Sequence, residues 1–167
     1  AHFALRGASG DAAKVILQGG GWKGGTPSDV IVIRSSDDIA IADLTITDAQ
    51  SYGIKVEAYA DEPHPRNIHI LRCHFLNIGT RAIKGTGPED RKPLVGGSVS
   101  FCRFENTKVP DTSWIYNGDY ISAIDMMYLK DWVFSDNLFK NIQQKTVLNL
   151  STQPLFKSQI TKSNYYC

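Results

Sequence analysis

The sequence predicts an all-β fold: a right-handed parallel β-helix, or solenoid, with three short strands per coil. Three observations carry that expectation. A segment recurs along the chain in one frame, each copy alternates apolar and polar residues with period 2, and each copy slips by one residue at the same place. The frame runs apolar, any, apolar, two residues, Leu/Cys/Asn, any, Ile/Phe, any, Asn/Asp. It is met by Ile39 to Asp48, Ile68 to Asn77, Gly97 to Asn106 and Trp132 to Asn141. The closing residues Asp48, Asn77, Asn106 and Asn141 are separated by 29, 29 and 35 positions.

Each element follows from that frame. Period 2 is the signature of a strand, and a slip of one residue, as between Ile70 and Cys73, is a bend that keeps apolar side chains inward on the next strand. A third strand follows each Asn or Asp: Gly53 to Val56, Ala82 to Gly85, Ala123 to Met126 and Val147 to Leu150. Ahead of the repeat, Val15 to Leu17 and Val30 to Ile33 read as earlier strands around Gly19-Gly20-Gly21. Pro88 to Gly97 and Lys108 to Gly118 hold the Pro, Gly, Asp and Ser expected of loops. No segment has a 3.6 period, so almost no helix is expected. After Gln143 the frame decays. Residues 1–150 are assigned to coils and 151–167 to a final strand or tail. No capping helix closes that end, and the chain is expected to be truncated there relative to a longer parent.

Composition bounds the functional classes. The 167 residues are 42% hydrophobic and 21% charged, so a packed domain is expected. Lys plus Arg number 18 and Asp plus Glu 17, which gives no net pull toward nucleic acid or membrane. The longest apolar runs are far short of the roughly 20 residues of a spanning helix. Cys73, Cys102 and Cys167 form no CxxC pair. In stacked coils Cys73 and Cys102 share one inward position with Leu44 and Asn137, which reads as a ladder of buried side chains with the Asn137 amide bonding to bend backbone. Asp48, Asn77, Asn106 and Asn141 form a second structural column at a turn. His69 and His74 fall at outward phases and read as solvated strand positions. No Gly-Xaa-Ser-Xaa-Gly or His-Glu-Xaa-Xaa-His motif occurs, and the glycines around Lys23 do not fit phosphate-loop spacing.

Candidate chemistry lies on the third strands. With Ile54, Ile83 and Ile124 inward, Lys55, Lys84 and Asp125 point outward on consecutive coils, and Asn149 extends the column. Glu57 shares that face, opposite Thr86. Arg81, Asp119, Tyr120 and the loop residues Trp114 and Tyr116 lie near it in sequence. Lysine stacked on lysine costs energy unless Asp125 or Glu57 pairs with them. Such a strip suits β-elimination on a uronic-acid glycan, which needs a cation or calcium to neutralise the carboxylate, a base for the α-proton and an acid for the leaving oxygen. A lysine crowded by a second cation is the expected base. Lys84 takes that role here, Lys55 or Arg81 neutralises, and Glu57, Arg81, Asp119, Tyr120 and Trp114 bind substrate. Alternatively, Asp125 and Glu57 hold calcium or form the carboxylate pair of a glycoside hydrolase.

Leu5-Arg6-Gly7-Ala8-Ser9-Gly10-Asp11, followed by Val15 to Leu17, resembles the opening coil of right-handed parallel β-helix proteins of the pectate-lyase-like superfamily. Asp38 to Ile46 resembles their second coil. Asn67 to Gly85, Gly118 to Met127 and Lys130 to Ile142 resemble secreted bacterial and metagenome-derived members without an assigned activity. The resemblance spans residues 3–142. It implies a secreted or periplasmic location and a polysaccharide partner. Lyases of the chondroitinase-B and alginate-lyase type use a Lys base, an Arg acid and often calcium held by Asn and Glu, and Lys84, Arg81 and Glu57 are the nearest counterparts here. The clustered aspartates of polygalacturonases and of pectate-lyase calcium sites are absent. Two other functions stand beside the lyase: a non-catalytic glycan-binding or surface structural β-helix, and an inactive truncated homologue. Open coil ends also make a homo-oligomer an expected partner.

Overall fold

A computed structural model describes residues 2–23, 26–59, 61–86, 93–108, 121–142, 148–151, 158–161 and 164–166. The strands follow one another in coils. The first coil holds β1 (Phe3–Arg6), β2 (Ile16–Gln18) and β3 (Ile31–Arg34). The second holds β4 (Asp37–Ala42), β5 (Thr45–Thr47) and β6 (Tyr52–Glu57), and the third β7 (Arg66–Leu71), β8 (His74–Leu76) and β9 (Arg81–Thr86). The fourth holds β10 (Leu94–Ser100), β11 (Arg103–Glu105) and β12 (Ser122–Met127), and the fifth β13 (Leu129–Ser135), β14 (Leu138–Lys140) and β15 (Leu148–Ser151). Two further strands, β16 (Ser158–Thr161) and β17 (Asn164–Tyr166), continue beyond it. A single 3-10 turn, Ala12–Lys14, is the only helical element among the described residues, so none is long and apolar enough to cross a membrane.

Every pairing is parallel and joins a strand to its equivalent one coil away. The first sheet is β1-β4-β7-β10-β13-β16, the second β17-β14-β11-β8-β5-β2 and the third β15-β12-β9-β6-β3. This is an all-β protein of three parallel sheets of stacked strands, the architecture of a parallel β-solenoid. The register follows the repeat residue for residue: Ile39 pairs with Ile68, Ile68 with Gly97 and Gly97 with Trp132. Gly97 is required there, because a Cβ would lie 2.6 Å from the Ile68 carbonyl and 2.8 Å from the Trp132 ring.

The one-residue slips are left-handed residues, and they stack. Asp43, Arg72, Phe101 and Asp136 have positive φ between the first and second sheets. Asp48, Asn77 and Asn141 do so between the second and third, which explains the Asn/Asp preference at that position. Asn106 of the same column is buried without a left-handed backbone. A third set, Asp38, Asn67, Gly96 and Asp131, interrupts the strands of the first sheet. Each such residue resets the phase of alternation, so apolar side chains stay inside around the whole coil.

The core is accordingly built of ladders. Phe75, Phe104 and Phe139 stack with centroids 4.9 Å apart at each step. Leu44, Cys73, Cys102 and Asn137 form the expected inward ladder, with both cysteines as free thiols. The Asn137 amide accepts from the Cys102 N–H at 2.9 Å and donates to the Val99 carbonyl at 2.8 Å. It thereby satisfies a polar side chain buried among apolar ones.

Candidate functional site

The outward column of the third sheet is Val32, Lys55, Lys84 and Asp125, in direct register on four coils, and the backbone of Asn149 pairs with Asp125 on the fifth. Arg34, Glu57 and Thr86 form a parallel column two residues on. These positions face outward because Ile33, Ile54, Val56, Ile83, Ile124 and Met126 take the inward phase and are buried.

Two ion-pair clusters result. In one, Asp125 lies between Arg81 (Nε to Oδ2, 3.0 Å) and Lys84 (Nζ to Oδ2, 2.7 Å). Asp125 is 0% exposed and Arg81 3%, while the Lys84 side chain keeps 12%. In the other, Glu57 receives Arg34 on Oε2 at 2.6 Å and Lys55 on Oε1. The expected relief of lysine-lysine repulsion is therefore present, with each lysine paired to its own carboxylate. Tyr52 joins the clusters: its ring lies 5.5 Å from Lys55 Nζ and 5.9 Å from the Arg81 guanidinium. Tyr59 stacks under Arg34 at 4.7 Å.

Burial and pairing compete in setting the charges. Burial pushes the Glu57 carboxyl up, but the hydrogen bonds from Lys55 and Arg34 outweigh it and hold it below its usual range. Burial likewise pushes the Lys55 ammonium down, and the bond to Glu57 with the charges of Glu57, Asp29 and Tyr52 raises it overall. The expectation that stacked lysines depress one another fails for Lys55, because its bond to Glu57 and the neighbouring charges outweigh burial. Asp29 shifts the other way: burial raises its carboxyl, against the Lys55 charge and the Tyr52 backbone N–H. One Asp29 oxygen is buried with no hydrogen-bond partner.

Of the residues expected at the site, Lys55, Lys84, Asp125, Glu57 and Arg81 come together on this face. Trp114, Tyr116, Asp119 and Tyr120 lie outside the described residues. Sequence reasoning missed Asp29, Arg34, Tyr52 and Tyr59. The available signal was the outward phase of Arg34 against Ile31 and Ile33, which puts it in line with Glu57. The calcium alternative fits poorly. Asp125 and Glu57 belong to different clusters and each already faces two cations. Among the described residues no three His, Cys, Asp or Glu gather as metal ligands.

Fold and site together define a parallel β-solenoid with a paired-charge strip and tyrosines on one outer sheet face. No family model, no curated protein and no solved structure gives a significant match to the chain.

Proposed function

We propose that this protein is a carbohydrate-active, right-handed parallel β-helix of the pectate-lyase-like kind, secreted or periplasmic, that takes a uronic-acid-containing polysaccharide on the outer face of its third sheet. One observation carries the reading: Arg34, Lys55 and Lys84 stand on consecutive rungs with their carboxylate partners buried beneath them and tyrosines beside them. Rungs repeat about every 4.8 Å, so the strip offers a file of cationic ends to a polymer that carries repeated carboxylates. Tyr52 and Tyr59 add aromatic surface for sugar rings.

For β-elimination, Lys84 in its neutral form takes the α-proton while Lys55 or Arg81 balances the uronate carboxylate, the C–O bond to the leaving sugar breaks as the C=C bond forms, and the departing oxygen takes a proton from water. Lys84 is free for that role when its contact with Asp125 opens on binding. The second reading, glycan binding without turnover, is favoured by that same contact: Lys84 Nζ already donates to the buried Asp125 carboxylate at 2.7 Å, which occupies the group that elimination needs.

The test is incubation with a panel of uronic-acid polysaccharides. Ultraviolet absorbance of the unsaturated product is followed, and binding is measured in parallel by calorimetry. Turnover lost in Lys84→Ala supports elimination. Binding without product, weakened in Lys55→Ala, supports the binding module. Neither binding nor product from any acidic glycan overturns both.

A further inference from the structure

The outer face of the first sheet carries a polar group that plays no part in the strip on the third. Ala40, His69, Ser98 and Val133 stand in one outward column on successive coils. Beside it lie the left-handed residues Asp38 and Asn67. Their side chains join in one chain of hydrogen bonds. Asn67 Nδ2 donates to Asp38 Oδ1 at 2.6 Å, Asn67 Oδ1 lies 2.7 Å from His69 Nε2, and His69 Nδ1 lies 2.9 Å from Ser98 Oγ.

The directions of these bonds follow from one end. An ionised carboxylate only accepts, so the amide nitrogen of Asn67 faces Asp38. Its oxygen then faces the imidazole and only accepts, so His69 Nε2 carries a proton. In its neutral form the ring is then left with its lone pair on Nδ1, directed at the hydroxyl of Ser98. A nucleophile, a base and an amide that fixes the base's tautomer are the parts of a serine-hydrolase relay. The face is open to solvent: His69 and Ser98 are half-buried and Asn67 is exposed. Val133, on the next coil, is exposed and apolar.

We propose that Ser98 and His69 are the nucleophile and base of an ester-cleaving site on the outer face of the first sheet, taking short-chain acyl esters. Asn67 and Asp38 are positioning residues. Ser98 Oγ bonds to the acyl carbon while its proton passes to His69 Nδ1. The ester C–O bond breaks and the departing alcohol takes that proton. Water then attacks the acyl-serine, gives its proton to His69 and releases the acid, and Ser98 recovers its proton. No oxidant, metal or further reactant enters. The proposal is independent of the glycan reading, since it uses a different sheet and no shared residue.

The experiment uses two probes. A fluorophosphonate, with modified peptides mapped by mass spectrometry, is expected to label Ser98. Ser100 and Ser135, which bond to each other at 2.9 Å, serve as internal comparators. Hydrolysis of p-nitrophenyl acetate is expected to fall by about a hundredfold or more in Ser98→Ala and in His69→Ala, the lower part of what a positioned base contributes. For the positioning role, 15N spectra of the folded protein are expected to show His69 protonated on Nε2, and Asn67→Ala to shift that tautomer balance. Labelling of Ser98 no faster than Ser100 or Ser135, or hydrolysis unchanged in Ser98→Ala, overturns the proposal. The labelling arm needs no variant, so a substitution that fails to fold does not blur the outcome.

Discussion

Asp125→Asn isolates the energetics of the third-sheet strip. The substitution keeps side-chain shape and removes one charge. In the native protein that charge is 0% exposed and faces Arg81, 3% exposed, and Lys84, whose side chain is 12% exposed. Exposed pairs contribute about 0–1 kcal/mol. Removing one partner of a buried pair instead costs about 3–5 kcal/mol, because the remaining charge stays desolvated. Here the remaining charges number two, and the more buried is an arginine that cannot shed its proton. The expected loss is therefore about 3–5 kcal/mol. In urea unfolding followed by circular dichroism, a slope of about 3 kcal/mol per molar converts that to a midpoint lower by about 1 M or more. Lys84→Met should cost less, because Arg81 still balances Asp125, and the double variant should cost less than the sum of the two. A loss under about 1 kcal/mol for Asp125→Asn, with the slope unchanged, would show that the cluster behaves as a solvated surface pair. The argument from burial would then fail.

Three further outcomes are expected. Phe104, sandwiched between Phe75 and Phe139, should cost about 3–5 kcal/mol as Phe104→Ala and under about 1.5 kcal/mol as Phe104→Leu, read by the same urea assay; equal losses would deny the ladder its packing role. Acid should destabilise the protein below the ordinary carboxylate range of about pH 4. The Arg72 hydrogen bond, with that of Arg6 and against burial, holds the Asp43 carboxyl down, so its stabilisation is complete above its unfolded value and is lost as pH falls through the lower folded one. Asp43→Asn should flatten the acid limb of stability against pH, and an unchanged limb would refute the assignment. Cys73 and Cys102, both buried, should resist alkylation until urea unfolds the chain, since the core keeps reagent from either sulfur; burial also pushes the Cys102 thiol well up, while the hydrogen bond between the two thiols pulls that of Cys73 down, and rapid native-state modification mapped to either would contradict their place in the core.

The fold was legible because a solenoid writes its geometry into the sequence once per coil. Ile39, Ile68, Gly97 and Trp132 align in the chain and also align in space. The lysine column was legible for the same reason, since strand alternation puts Lys55, Lys84 and Asp125 on one face. Less of the chemistry was visible. Arg34 and Asp29 belong to the first coil, where the repeat is loose, so Arg34 could be linked to Glu57 only through the outward phase of its own strand, and Asp29, ahead of that strand, not at all. Tyr52 sits at the start of β6, where alternation gives no reason to expect its ring beside two cations. The tautomer of His69 was beyond reach, because it depends on the direction of an amide that Asp38, on another coil, decides.

Charge pairing alone does not make the third sheet special. Asp43 lies buried under Arg6 and Arg72, and Glu105 under Arg103 and Lys140 with His74 beside it, so the pattern of one sunken carboxylate beneath two or more cations recurs on other faces. In a parallel stack this is expected. Outward side chains at equivalent positions are about 4.8 Å apart, and a column can carry successive cations only if a carboxylate is placed between or beneath them. What separates the Asp125 cluster of the third sheet is the burial of Arg81 and Lys84 along with their carboxylate, with Tyr52 beside Arg81. In the clusters of Asp43 and Glu105, by contrast, the arginine and lysine partners remain roughly half exposed. The first sheet differs in kind, because its relay of Asp38, Asn67, His69 and Ser98 ends on a hydroxyl rather than on a second charge. A linear motif cannot report such a site, because Ser98 and His69 are one coil apart and their spacing is the coil period. In this architecture, then, functional residues are to be sought down the outward columns, by asking which column holds a group that ion pairing does not already satisfy. By that criterion the hydroxyl of Ser98 stands apart from the paired charges around it.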